Sequence, residues 1–173
     1  MILHAPDDVP QAFRLYLARA LCDKTRPLHG FGTTQISGAA SLATLLGCRV
    51  AHVLRSFNYY HCPFSMHRAL EHFNRPARQL GAHTWPMLGL ARLSIQGPWL
   101  DIEGGDLEHR HWVALAFVDG IDMVYDINKE EGGGWDTRAE WETTTMRRLL
   151  GEDADHEGAT GWRFFKTLEI IDP

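Results

Sequence analysis

Three residues far apart in this chain are of the types that nucleophilic catalysis needs: Ser37, His111 and Asp126. A hydroxyl or thiol attacks a carbonyl when a base takes its proton, and the base works best when a third group fixes its tautomer. Ser37 opens SGAASLATLLG, whose apolar residues run round most of a helix circumference, so the spacing predicts a buried helix over 37–47. Ser37 then stands at a helix start, where the dipole favours negative charge and lowers a nucleophile's pKa. His111 begins the strand-like HWVALAFV, and Asp126 lies near the end of IDMVYDI. Asp119 and Gly120 separate the two runs and suit a type I′ turn. Such a turn sets His111 opposite residues 126–128. Asn128 is an alternative third member, because an amide oxygen also orients an imidazole.

Each of these residues has a plainer reading. Serine is among the best N-caps, so Ser37 can simply satisfy free N–H groups of its helix. A histidine ahead of a hydrophobic strand is commonly a hydrogen-bonded structural residue, and Asp and Asn at 126 and 128 suit a turn at a strand end. The other histidines form no metal signature. His61, Cys62, His67 and His72 cluster in sequence, but His67 and His72 are five apart and diverge on a helix. His109 and His111 make a pair only, so neither metal nor cofactor is expected. Trp112 must point to the strand face opposite His111 and reads as packing. Trp135, after three glycines, reads as a loop anchor or the rim of a cleft. Cys22, Cys48 and Cys62 have no helix-start setting and read as inert thiols.

The elements that must position these groups follow from periodicity and breakers. Residues 9–21 put Phe13, Tyr16, Leu17, Ala20 and Leu21 on one helical face, and Pro27, Gly30 and Gly32 break the chain after it. A short helix is expected at 49–56, and another at 64–73 with Met66, Leu70 and Phe73 inward. Strands are expected near 79–84, 89–96, 111–118, 122–127 and 163–171. A late helix is expected at 137–150, and a surface loop at 151–161. Helices gather in the first half and antiparallel strands in the second, which predicts an α+β fold. One domain over 1–173 is expected, helical over about 1–75 and sheet-forming over about 76–173.

Composition narrows the function classes. Twenty-two acids against 17 bases leave a net charge of −5, without the basic footprint that phosphates require, so nucleic acid is not an expected partner. Three cysteines make no disulfide framework. No apolar run approaches the roughly 20 residues that span a bilayer. Asp7 and Asp8 precede the first apolar face, where a signal peptide would be basic. A cytoplasmic domain with no membrane partner is therefore expected, its oligomeric state left open.

The order of these motifs, nucleophile at a buried helix, then His on a strand, then Asp one hairpin later, resembles that of papain-like cysteine peptidases. It is most similar to the peptidase domains of bacteriocin-exporting transporters. SGAASLATLLG resembles that family's nucleophile helix, HWVALAFVDG its base-bearing strand, and VYDIN the step carrying its acid. GGWDTRAEWE resembles the glycine-bearing segment before its last helix. The resemblance runs from about residue 30 to about 150. It implies a papain-like fold, a helical subdomain packed on an antiparallel sheet. It also implies acyl-transfer hydrolysis of a peptide or isopeptide bond, with a peptide or protein substrate and no cofactor. Residue 37 would be the nucleophile, His111 the base and Asp126 its orienting partner.

Two positions depart from that family. Ser37 stands where it has cysteine, and Phe31 where it has an oxyanion-hole glutamine; Gln35, two residues ahead of Ser37, reaches an oxyanion only by a different loop path. A hydroxyl lacks the accessible anion of a thiol with a pKa near 8.5. Serine at 37 is compatible with natural loss, a serine hydrolase on this scaffold, or an inactivating replacement. A degenerate module that binds a peptide or partner protein is the alternative to an enzyme.

Overall fold

The computed structural model describes residues 3–6, 33–56, 65–81, 84–97, 110–129, 134–150 and 159–171, the side chains of 33–36, 65 and 110 excepted. The expected helix at 9–21, Phe31, Cys22, His61, Cys62, His109 and most of the 151–161 loop lie outside the described residues, as does the side chain of Gln35.

Helix α1 spans Thr33–Leu46, α2 Val50–Ser56 and α3 Ser65–His72. Strands β1 (Ala77–Gln79), β2 (Leu88–Gln96), β3 (Arg110–Val118), β4 (Ile121–Asp126) and β5 (Gly134–Thr137) follow. Then come α4 (Arg138–Trp141), a π-helical turn (Glu142–Met146), α5 (Arg147–Leu150) and β6 (Gly161–Ile170). The strands form one sheet in the order β1-β6-β2-β3-β4-β5, each neighbouring pair antiparallel. The fold is α+β, mixed helix and antiparallel sheet.

Alternation along the central strands separates two cores. On one face, Leu90, Trp112, Ala114, Tyr125 and Leu168 pack against α1, α2 and α3 through Leu42, Leu45, Val53 and Leu70. On the other, Leu93, Val113, Leu115 and Val124 pack under Trp141, Met146 and Leu149. Asp119 (φ 51) and Gly120 (φ 84) both take the positive φ that a type I′ turn requires, and β3 and β4 pair right up to them, Val118 opposite Ile121. Gly47 (φ 62) ends α1 with the two bonds of a Schellman motif, Cys48 N–H to Ala43 O (3.0 Å) and Gly47 N–H to Thr44 O (3.3 Å).

Four local expectations are corrected. Helix α1 begins at Thr33, so Ser37 lies in its second turn and not at its start. Thr33, Thr34, Gln35 and Ile36 contain no breaker, and Gly32 is the last one ahead of them. The first strand is Ala77–Gln79, not 79–84. The glycine-prefaced segment at 134–137 is a strand, and the late helix is broken by a π turn. Among the described residues, no single helix is long and apolar enough to cross a membrane.

Candidate active site

The hairpin sets the register of the site. Ala114 pairs with Tyr125, and continuing that register places Val113 opposite Asp126 and His111 opposite Asn128. His111 and Asp126 therefore share a sheet face as diagonal neighbours, within reach of each other's side chains. His111 Nε2 lies 2.7 Å from Asp126 Oδ1. Asp126 is wholly buried. Its Oδ1 also accepts the Asn128 N–H at 2.8 Å, and its Oδ2 accepts the indole N–H of Trp141 at 2.9 Å. Burial alone would raise this carboxyl. The charge and hydrogen bond of His111, the Asn128 N–H and the Trp141 N–H together outweigh it, holding Asp126 below the ordinary aspartate value of 3.8. With Nε2 on the carboxylate, Nδ1 is the ring nitrogen that the Asp126 contact leaves unused.

Of the two expected third members, Asp126 makes the short contact. Asn128 Nδ2 stands 3.4 Å from the same His111 nitrogen. The main chain of Asn128 is held at both ends, its N–H on Asp126 and its carbonyl on the Arg148 guanidinium.

Ser37 meets β3 one residue beyond His111. Its Oγ accepts the Trp112 N–H at 3.1 Å, and Ser41, one turn later, donates to the Trp112 carbonyl at 3.1 Å. Strand geometry explains the pairing. Phe117 directs its N–H to Met87 beside β2, so even-numbered β3 residues direct theirs toward β4. The β3–β4 ladder begins only at Ala114, and the two serines of α1 complete the bonding of Trp112 beyond it. Ser37 Oγ thus abuts the peptide that joins residues 111 and 112, and it is only 1% exposed. The Trp112 ring packs on the α1 face and His111 turns to the other, as alternation along the strand dictates. Gly38 lies at this contact: a Cβ there would stand 3.0 Å from the mobile tip of Met66, Cε, and 3.4 Å from Trp112 Cδ1.

Ser37 is therefore a hydrogen-bond acceptor inside the helix and not its N-cap, and the helix-dipole argument weakens, because that effect fades beyond the first turn. Gln35 sits half a turn ahead of Ser37 in α1. Trp135 is an anchor: its Nε1 donates to the His4 carbonyl at 2.7 Å, and its ring lies 5.9 Å from Tyr125. Among the described residues, no group of three or more His, Cys, Asp or Glu converges as a metal site would require. Trp141 and Arg148 were not singled out by sequence reasoning. The only sequence signal for Trp141 is an aromatic on a short amphipathic helix, and nothing signals Arg148.

A cavity of about 850 Å³ lies beside the second core, lined in part by Trp85, Asp122, Arg138, Trp162 and Phe164. It lies off the His111–Asp126 pair, and Trp162 on its wall packs against Trp141. In comparison with known proteins, no family model matches the chain and no curated protein matches it, so functional inference rests on this geometry.

Proposed function

We propose that the chain is a papain-like domain built for acyl transfer at a peptide or isopeptide bond, with residue 37 in the nucleophile position. His111 would take the proton from residue 37 and return it to the leaving amine, and Asp126 would hold the imidazole with Nε2 protonated. The observation that carries this reading is the 2.7 Å bond between His111 and a fully buried Asp126; Ser37 Oγ meets β3 at the next peptide, and the His111 ring, turned to the face away from α1, must swing toward residue 37 to take its proton. A wholly buried carboxylate that holds an imidazole and is itself held by the Asn128 and Trp141 N–H groups is costly for mere packing, and it suits the orienting partner of a general base. The Trp112 N–H aimed at Oγ is also a donor toward an anion formed on residue 37. With serine in that position, hydrolysis is weak at best.

A second reading has its own support. The Ser37 hydroxyl is buried and already accepts a main-chain bond, which suits a degenerate module that binds a peptide or protein without cleaving it. The two separate with one variant. In a Ser37→Cys protein the hydrolase reading expects iodoacetamide to alkylate residue 37 at pH 6 much faster than Cys22, Cys48 or Cys62, and His111→Ala to slow that reaction. A residue-37 thiol no more reactive at pH 6 than a free thiol would overturn the hydrolase reading and favour the binding module.

A further inference from the structure

We propose that Trp141 is a positioning residue for the His111–Asp126 pair, its indole N–H fixing the plane in which the carboxylate faces the imidazole. The inference rests on the reading of His111 as the base. The two oxygens of Asp126 are used unequally: Oδ1 serves His111 and the Asn128 N–H, while Oδ2 accepts from Trp141. The two oxygens of a carboxylate are equivalent, so a half-turn about Cβ–Cγ changes nothing, but rotation out of the plane that serves both partners would loosen the contact with His111. The indole bond opposes that rotation. It also supplies a donor to an oxygen with no access to water, since Asp126 and Trp141 are both 0% exposed.

Trp141 is itself held firmly. Its ring packs edge-on against Trp162 (centroids 5.0 Å apart, planes at 78°) and parallel to Phe164 (6.2 Å, 9°), both from β6. The residue ends α4, and the π turn begins immediately after it, with Thr145 and Met146 buried on the same side. Such wide turns recur where a helix must aim a side chain that regular spacing would misplace. A role confined to packing would need the rings and not the N–H. The structure spends the N–H on the one carboxylate that touches His111.

The test replaces Trp141 with β-(3-benzothienyl)alanine, which keeps the bicyclic shape and removes only the N–H donor, in the full 173-residue chain. The readout is exchange of the His111 Nε2 proton with water, followed in ¹⁵N-histidine spectra at neutral pH. Exchange should accelerate about tenfold or more as the carboxylate gains freedom. Trp162→Phe, which disturbs the ring packing and leaves the N–H in place, should change it little. Unaltered exchange in the benzothienyl protein would overturn the proposal, and so would equal acceleration in the Trp162→Phe protein, which would make the effect one of packing. Should the benzothienyl protein fail to fold, Trp141→Phe, which loses the N–H together with one ring, is read against Trp162→Phe, which loses one ring and keeps the Trp141 N–H. The Ser37→Cys background separates the two levels. Slow alkylation at pH 6 with Trp141 intact defeats the acyl-transfer reading, whereas faster proton exchange on loss of the N–H still establishes the positioning role.

Discussion

Ser37 satisfies a buried main-chain N–H with its one oxygen, and under the proposed acyl-transfer reading the same oxygen is the attacking atom. Ser37→Ala removes it and leaves the Trp112 N–H unpaired in the interior, which should cost about 1–3 kcal/mol, read as a lower urea midpoint at unchanged slope. Asp126 has a different signature. Its carboxyl ionises more readily folded than unfolded, so its contribution to stability is complete above the ordinary value of 3.8 and is lost as pH falls through the lower folded value. Asp126→Asn should flatten that acid limb. At neutral pH it should also cost about 3–5 kcal/mol, because the surrounding donors lose their anion. The pairing of His111 with Asp126 was legible in the sequence because a two-residue turn fixes register. The bond from Ser37 to Trp112 was not. It depends on where a helix docks against a strand 75 residues away, and no local pattern records that.

Among the elements, those closed by a positive-φ residue read most clearly: Gly47 marked the end of α1, and Asp119-Gly120 marked the hairpin. The start of α1 did not, because Thr-Thr-Gln-Ile neither forbids a helix nor marks its first turn. Strand β5 escaped notice for a related reason. Its four residues, the first of them the last glycine of a run, carry too little alternation to register as a strand, and its edge position comes from β4. Two glycines show how differently close packing can be enforced. At Gly89 a Cβ would lie 2.1 Å from the Leu168 carbonyl oxygen, a rigid atom of the neighbouring strand. Gly89→Ala should therefore force β2 and β6 apart and cost more than about 3 kcal/mol. At Gly38 the nearest atom is the mobile tip of Met66, and alanine favours a helix by about 1 kcal/mol, so Gly38→Ala should fall within about 1 kcal/mol of neutral. Thermal unfolding of the two variants side by side checks the contrast.

For the whole molecule, the two cores lie on either side of the same strands, with Leu90 in one and Leu93 in the other, both on β2. Leu90→Ala and Leu93→Ala should each cost about 2–5 kcal/mol. Each should also lower the midpoint of one shared transition, seen identically by tryptophan fluorescence and far-UV circular dichroism, since neither face can stay packed once β2 is lost. The α+β class was legible because helical and strand-like segments fall in separate halves; the strand order was not, because β6, last in the chain, inserts between β1 and β2. That insertion has a consequence for biosynthesis. As the chain leaves the ribosome, β1 has no neighbour and β2 exposes one full edge until the residues around 161–170 emerge. From the emergence of β2 until that of β6 the nascent protein therefore displays the kind of bare strand edge that invites pairing with another chain. Ribosome-bound intermediates stalled before residue 161 should recruit holding chaperones and be cut readily by protease, and those stalled once residue 170 has cleared the exit tunnel should resist both.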